Sequence, residues 1–150
     1  GTADTDGTGV ATLSYKILEA FSIGAHTLTV EFAGDGNHNA SSGTGALNIN
    51  QAPVKITQSN VVGNLGKAVK LSATLKRYTD NTAMSGKTLR FQVDGADVGT
   101  ATTNSSGIAT LNYTIPATFT TGAHTLAVYF DGSTFYQSGS VTSAVLTVNP

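Results

Sequence analysis

Hydrophobic and polar residues alternate over short stretches of this 150-residue chain, and the clearest of these stretches occurs twice. The copies are residues 24–32 and residues 122–130, and both begin with Gly-Ala-His-Thr-Leu. After the opening glycine, His, Leu, Val and Phe occupy every second position in each copy. A period of two residues places these side chains on one face of a half-buried antiparallel β-strand.

The repetition extends beyond this stretch at an offset of 98 residues. About 20 of the first 42 residues are identical to their counterparts, after which one extra residue enters the second copy. The register divides the chain into residues 1–50, the last half of one repeat, and residues 51–150, a complete repeat. Residues 50–53 form the linker. The sequence therefore predicts one and a half repeats.

Within the complete repeat, the alternation predicts seven short strands separated by turn signals. We expect them at residues 54–58, 68–77, 87–93, 96–102, 108–115, 122–130 and 141–148. The stretch 63–66 is interpreted as a turn, and Asp94-Gly95 as a tight hairpin turn. No segment keeps apolar residues at helical spacing over three turns, so the pattern predicts an all-β sandwich.

Residues 1–50 contain the equivalents of only the last three of these strands. Their inner faces would be uncovered at Ala11, Leu13, Tyr15, Ile17, Leu28, Val30, Phe32, Leu47 and Ile49. Burial of each large apolar side chain contributes roughly 1.5–3 kcal/mol, so a free half-repeat is not expected to be ordered. We therefore expect another chain or an upstream segment to supply the missing strands, or two half-repeats to close on each other.

Three motifs follow one another in the complete repeat, and residues 1–50 contain the third of them together with Gly1-Thr2-Ala3, which matches the start of the second. The three motifs are Phe91-Gln92-Val93-Asp94-Gly95, the Gly-Thr-Ala-Thr of residues 99–102, and the Gly-Ala-His-Thr-Leu stretch followed by Val and Phe. Their order resembles the bacterial Ig-like repeats that occur in tandem in large surface proteins and adhesins. The resemblance implies an Ig-like antiparallel β-sandwich with strands A, B, C, C′, E, F and G in the predicted order. Residues 1–50 would then carry strands E, F and G.

The resemblance also implies a function without catalysis, as a stalk, adhesin or filament module at the cell surface or outside the cell. It implies no cofactor, and neighbouring repeats as partners. Two alternatives remain open. A ligand-binding module could use loops 78–86 and 131–140 to contact a glycan or protein, with Phe135 and Tyr136 of the second loop as the candidate contacts. An accessory domain of a secreted enzyme would leave the chemistry outside this sequence.

Composition narrows the possible functions further. The net charge is −1 and charged residues are 11% of the chain, so there is no electrostatic argument for nucleic acid or an anionic membrane as partner. The absence of cysteine removes disulfides and thiolate metal sites. No apolar run approaches the length of a transmembrane helix, so no membrane insertion is expected here.

Few residues suggest a chemical site. His26 and His124 are equivalent residues one domain apart and have no carboxylate near them in the sequence. We interpret these histidines, with Gly24 and Gly122, as structural residues at the start of strand F, where a His can form a hydrogen bond with the backbone. Asp94 and Gly95 are likewise structural.

Asp4 and Asp6 are the weak candidates for a metal site. They resemble part of a calcium loop, but a third acid and a distal Glu are missing. An ordinary hairpin turn is the preferred interpretation of this segment.

Overall fold

The computed structural model describes residues 1–18 and 21–150, which contain ten β-strands and no helix. The strands are β1 (Gly24–Phe32), β2 (Ser41–Ile49), β3 (Val54–Gln58), β4 (Val61–Asn64), β5 (Ala68–Arg77), β6 (Thr88–Val93), β7 (Ala96–Thr102), β8 (Ile108–Thr114), β9 (Gly122–Phe130) and β10 (Gly139–Asn149). The chain forms two compact units, unit 1 (Gly1–Ile49) and unit 2 (Asn50–Pro150). No described segment is a helix that could span a membrane. The all-β prediction is confirmed.

Unit 2 is a sandwich of two sheets. One sheet has five strands in the order β4-β10-β9-β6-β7, and the other has three in the order β3-β5-β8. Strand β5 pairs antiparallel with β8, and β6 pairs antiparallel with β9. These are the B–E and C–F pairings of an Ig-like sandwich, as the sequence predicts.

The core of unit 2 lies between the two sheets. Its largest fully buried side chains are Phe91, Leu71, Leu75, Leu89, Ile115, Leu126, Leu146, Val128 and Val148. In β5 and β6 the buried residues alternate with exposed or half-buried ones, because successive side chains of a strand point to opposite faces. In β9, Ala127 between Leu126 and Val128 is also buried. The alternation predicts that Val69, Leu71, Ala73 and Leu75 of β5, Leu89, Phe91 and Val93 of β6, and the His, Leu, Val and Phe of β9 point inward. All of them are buried except Val69, which is half-buried against the core.

Strand β4 was missed by the sequence prediction, which assigned residues 63–66 to a turn. The structure extends the strand through Asn64 and places the turn after it, where the Lys67 amide donates to the Asn64 carbonyl at 3.1 Å. Strand β4 pairs in parallel with β10, a partner that is more than 70 residues away in the chain. Because that pairing is nonlocal, a four-residue strand leaves little local signal.

Unit 1 is built on one antiparallel hairpin. Strand β1 pairs with β2 from Gly24 opposite Ile49 to Phe32 opposite Ser41. The third strand predicted for this half-repeat, the equivalent of 108–115 at residues 10–17, is not formed, and within these described residues an isolated bridge joins Thr5 to Ala11. The reason is physical: its counterpart β8 is an edge strand that pairs with β5 alone, and unit 1 has no equivalent of β5.

The apolar face of β1 is exposed. Leu28, Val30 and Phe32 are 53%, 63% and 46% exposed, respectively. Their counterparts Leu126, Val128 and Phe130 are at most 4% exposed. The same sequence pattern thus forms a core strand in unit 2 and an uncovered strand in unit 1.

Candidate functional site

His124, near the start of β9, is one of the buried polar residues of unit 2. Its side chain is 8% exposed, and its ring stacks on Phe119 with centroids 4.3 Å apart. Nδ1 donates to Asp94 Oδ2 at 2.6 Å, and Nε2 donates to the Thr120 carbonyl at 2.9 Å. The second bond is a corner bond to backbone of the kind that the sequence suggested for this histidine.

No carboxylate lies near His124 in the sequence, but the fold brings Asp94, 30 residues earlier in the chain, to within 2.6 Å of Nδ1. Asp94 has φ 49° and Gly95 φ 80°, the left-handed pair that a tight hairpin turn between β6 and β7 requires. The turn directs the Asp94 side chain to β9, where Oδ1 accepts the Thr125 amide at 2.8 Å. Asp94 is thus a turn residue and also a link between two strands.

Both ring nitrogens of His124 face acceptors, which favours the doubly protonated imidazolium. The hydrogen bond to Asp94 raises the pKa of His124, and the bond to the Thr120 carbonyl acts in the same direction. In return, the hydrogen bond from His124 lowers the pKa of Asp94, and the Thr125 amide lowers it further. Each partner therefore stabilises the charged form of the other.

Thr120 completes an arrangement that superficially resembles a Thr–His–Asp triad, since its Oγ1 lies 3.4 Å from His124 Nε2. A general base needs an unprotonated Nε2 aimed at the nucleophile. Here the Nε2 proton is directed to the Thr120 carbonyl, and the hydroxyl distance is long. The geometry suits an anchored corner and not activation of a nucleophile.

His26 repeats half of this arrangement in unit 1. Its Nε2 lies 2.7 Å from the Ser22 carbonyl, and its ring meets Phe21 edge-on with centroids 5.9 Å apart. Unit 1 has no counterpart of Asp94, because the offset places that residue before Gly1. Within the described residues, Nδ1 of His26 has no hydrogen-bond partner.

The metal candidate Asp6 serves a turn. Its Oδ1 accepts the Thr8 hydroxyl at 2.7 Å and the amides of Thr8 and Val10 at 2.9 and 3.0 Å. These bonds lower the pKa of Asp6, the Thr8 hydroxyl most. Its neutral counterpart Asn104 makes the equivalent pair of amide bonds. Among the described residues, no three His, Cys, Asp or Glu, Asp4 included, converge on a metal site.

The aromatic candidates of loop 131–140 are used for packing. Tyr136 is 5% exposed and belongs to the core, and Phe135 packs against the core from its edge. The Phe135 carbonyl accepts the Ala52 amide at 2.8 Å, and the Ala52 carbonyl accepts the Gln137 amide at 3.0 Å. This loop is therefore hydrogen-bonded to the segment that precedes β3. The ring of Tyr136 is buried and is not exposed to a ligand.

A second polar cluster, centred on Arg90, lies on the outer face of the five-stranded sheet. Alternation along the strand predicts that Arg90 points outward, but the sequence did not indicate its partners. The Arg90 guanidinium donates to Asp97 at 2.9 Å and to Asp131 at 3.3 Å, and stacks 4.7 Å from the Tyr129 ring. It borders a concavity of about 280 Å³ that Lys87, among others, lines. The signal in the sequence was the position of Arg90 between Leu89 and Phe91, two inward residues of a predicted strand, which places the guanidinium on the outer face. The contacts join β6, β7 and β9 to one another.

Comparison with a protein-family model supports the fold of unit 2. Residues 54–145 match the family model described as the archaeal bacterial Ig-like domain. Among solved structures, domains 4 and 5 of the S-layer protein SbsC align over 98% of this chain and 79% of that chain. The alignment has 12% sequence identity and a TM-score of 0.39. No curated protein matches the chain.

Proposed function

Because this chain belongs to the archaeal bacterial Ig-like domain family, we propose that it is a non-enzymatic structural module of a cell-surface or extracellular protein. In the parent protein such modules would form a stalk, an adhesin or a filament. The proposal is supported by the structural roles of the polar side chains described above. His124, Asp94, Asp6 and Arg90 all hold turns or neighbouring strands together.

The pairing of β4 with β10 is the observation that carries the proposal. Strand β4 lies near the start of unit 2 and β10 at its end, and they pair in parallel from Val61 opposite Leu146 to Asn64 opposite Asn149. Tension applied to the two ends of the unit pulls these strands along their lengths in opposite directions. Their interstrand bonds are then loaded together and not one after another. That geometry suits a module that must transmit tension.

Stretching single molecules of residues 50–150 with a force probe tests the proposal. Gly63 is the position to change, because a Cβ there would meet the side chain of Val69 and would lie 2.7 Å from Ile115 Cδ1. Gly63→Val should prevent β4 from docking and lower the unfolding force well below that of the natural sequence. The matched control is Val62→Thr in the same strand, at a residue that is 65% exposed.

The two variants make the result decisive. The tension proposal requires Val62→Thr to keep the natural unfolding force while Gly63→Val loses most of it. Equal unfolding forces for both variants, with the sandwich still folded, would show that β4–β10 pairing does not resist tension. Forced unfolding reports the unfolding barrier, so the comparison does not depend on equal equilibrium stabilities.

For unit 1, the proposal is completion by strands from outside the described hairpin. The support is the exposed face of β1, where Leu28, Val30 and Phe32 stand at positions that are core in β9. Strands equivalent to β3, β5 and β6 would cover that face. Another polypeptide segment of the same repeat type would supply them, which is an example of β-strand addition.

A further inference from the structure

Strand β1 has one edge that β2 does not use. In unit 2, the equivalent strand β9 lies between β10 and β6. Its pairing with β6 sets Arg90 opposite Tyr129, Phe91 opposite Val128 and Val93 opposite Leu126. In the described part of unit 1, β1 pairs with β2 alone. The edge corresponding to the β6 side of β9 is therefore available to a strand.

The repeat offset identifies the side chains that an incoming strand would meet. Glu31 occupies the position of Tyr129, Val30 that of Val128 and Leu28 that of Leu126. Directly opposed residues in an antiparallel pair point to the same face. An incoming strand should therefore be apolar opposite Val30 and Leu28, as β6 is opposite β9.

The charges at this edge indicate what should stand opposite Glu31. In unit 2, Arg90 stacks on Tyr129 and pairs with Asp131, two residues further along the chain. In unit 1, Glu31 corresponds to Tyr129 and Ala33 corresponds to Asp131. The carboxylate of unit 1 therefore stands two positions earlier in the strand than that of unit 2. A shift of two residues keeps a side chain on the same face of a strand. A cation on the incoming strand would again face a carboxylate.

The histidine corner supplies a second contact. His124 Nδ1 donates to Asp94, which follows β6 directly, and the Thr125 amide donates to the same carboxylate. His26 already has the other half of this arrangement, the contact of Nε2 with a backbone carbonyl four residues earlier. An aspartate that ends the incoming strand would reach the position opposite His26 and Thr27.

We propose that the free edge of β1 is a specific acceptor for one antiparallel strand of the same repeat type. That strand carries a cation opposite Glu31, apolar residues opposite Val30 and Leu28, and an aspartate at the turn beside His26. Its chemistry is that of residues 88–94 of this chain. The inference rests on the proposed completion of unit 1 and adds the recognition that selects the strand.

A second copy of the chain fits this edge poorly. Strand β6 of a second copy is already paired on both sides, with β7 and β9. Strand β1 of a second copy contains no Lys or Arg, so β1–β1 pairing would bring Glu31 no cation. The observations therefore favour a separate segment whose strand is not already paired.

Fusion of residues 50–98 ahead of Gly1 of the full chain tests the proposal. Joining Val98 to Gly1 reproduces the natural junction of Val98 with Gly99, because Gly1 is the counterpart of Gly99. We expect amide hydrogen exchange in β1 to slow by about 100-fold or more relative to the unfused chain. A slowly exchanging Nδ1–H signal of His26 should appear in NMR spectra, and Asp94→Asn in the added segment should abolish it.

Exchanging the charges of Glu31 and Arg90 tests the recognition of the incoming strand separately from the completion of unit 1. In the fused chain, Glu31→Lys should lower the β1 protection factor about two- to five-fold, the size of one cross-strand charge pair. Arg90→Glu in the added segment should restore it. Thr29→Lys is the control, because Thr29 lies on the same face but opposite the counterpart of Gln92.

The outcomes separate the two proposals. If fusion protects β1 but Glu31→Lys changes nothing and the His26 signal is absent, the recognition is wrong and completion of unit 1 stands. If fusion leaves β1 unprotected, completion itself is wrong. If the unfused chain dimerises and protects β1 as well as the fusion does, the occupant is a second copy and the inference is overturned.

Discussion

At the scale of the residue, His26 and His124 show how a tertiary partner changes one side chain. Both histidines contact a backbone carbonyl four residues earlier through Nε2. Only His124 also meets a carboxylate, because the turn after β6 carries Asp94 to it. His124 is therefore a charged link between the hairpin turn and the central strand β9, and this link has a pH dependence that can be measured.

Residues 50–150 contain one histidine, His124, so their stability near neutral pH reports on this link. The raised pKa of His124 means that its contribution is complete below about pH 6.5 and is lost as the pH rises through the folded-state pKa. The lowered pKa of Asp94 means that its contribution is complete above about pH 4 and is lost at lower pH. The link should stabilise unit 2 most between about pH 4 and 6.5.

Urea unfolding of residues 50–150 at pH 5.5 and pH 9 measures this effect. Asp94→Asn should cost about 1 kcal/mol at pH 5.5, less than a buried hydrogen bond to a charged group contributes, because the Asp94 side chain is half-exposed and solvent screens the pair. The cost should shrink at pH 9, where His124 is neutral. An equal cost at both pH values would mean that His124 and Asp94 do not interact as an ion pair. Asn is suited to the test because it tolerates the positive φ of this turn.

At the scale of the element, β1 and β9 begin with the same five residues but differ in their surroundings. Strand β9 has a neighbour on each side and its inward side chains are buried. Strand β1 has one neighbour and an exposed apolar face. Because a two-stranded hairpin alone is marginally stable in water, the identical sequence should open much more readily in β1.

Hydrogen exchange of the two Gly-Ala-His-Thr-Leu segments in one sample measures this difference. The segments have the same intrinsic exchange chemistry, so each is the control for the other. We expect the amides of residues 26–28 to be at least about 100-fold less protected than those of residues 124–126, because they open with the hairpin and not with the sandwich. Comparable protection would show that unit 1 holds β1 by interactions that the hairpin alone does not provide.

At the scale of the whole molecule, the described apolar residues divide unequally between the units. The buried hydrophobic cluster consists of residues of unit 2. In unit 1, Val10, Leu13, Tyr15, Ile17 and Leu18 are exposed by 45% or more, as are the apolar residues of β1. Cooperative unfolding needs a shared core, so unit 2 should dominate the unfolding transition of the chain.

The urea m value tests this expectation, because it scales with the surface exposed on unfolding. We expect the full chain and residues 50–150 to have equal m values within error, although their lengths differ by about half. An m value about 1.5 times larger for the full chain would mean that residues 1–49 unfold cooperatively with a core of their own. Residues 50–150 are the matched control because they contain the complete sandwich.

The sequence by itself determined the strands of unit 2 other than β4, and most of the faces that they bury. Alternation at every second residue is a local property, so the inward residues of β5, β6 and β9 could be read directly from the chain. The repeat offset likewise identified which strand of unit 1 corresponds to which strand of unit 2. Tight turns such as Asp94-Gly95 were recognisable because their residue types match the backbone conformation.

Only the tertiary structure decided the contacts between distant segments. Strand β4 depends on β10, and the charged link depends on Asp94 meeting a histidine 30 residues away. The strand predicted at residues 10–17 is not formed for the same reason, because unit 1 has no equivalent of β5 to pair with it. Local pattern sets what a segment can form, whereas hydrogen bonds and burial by distant partners decide whether it forms.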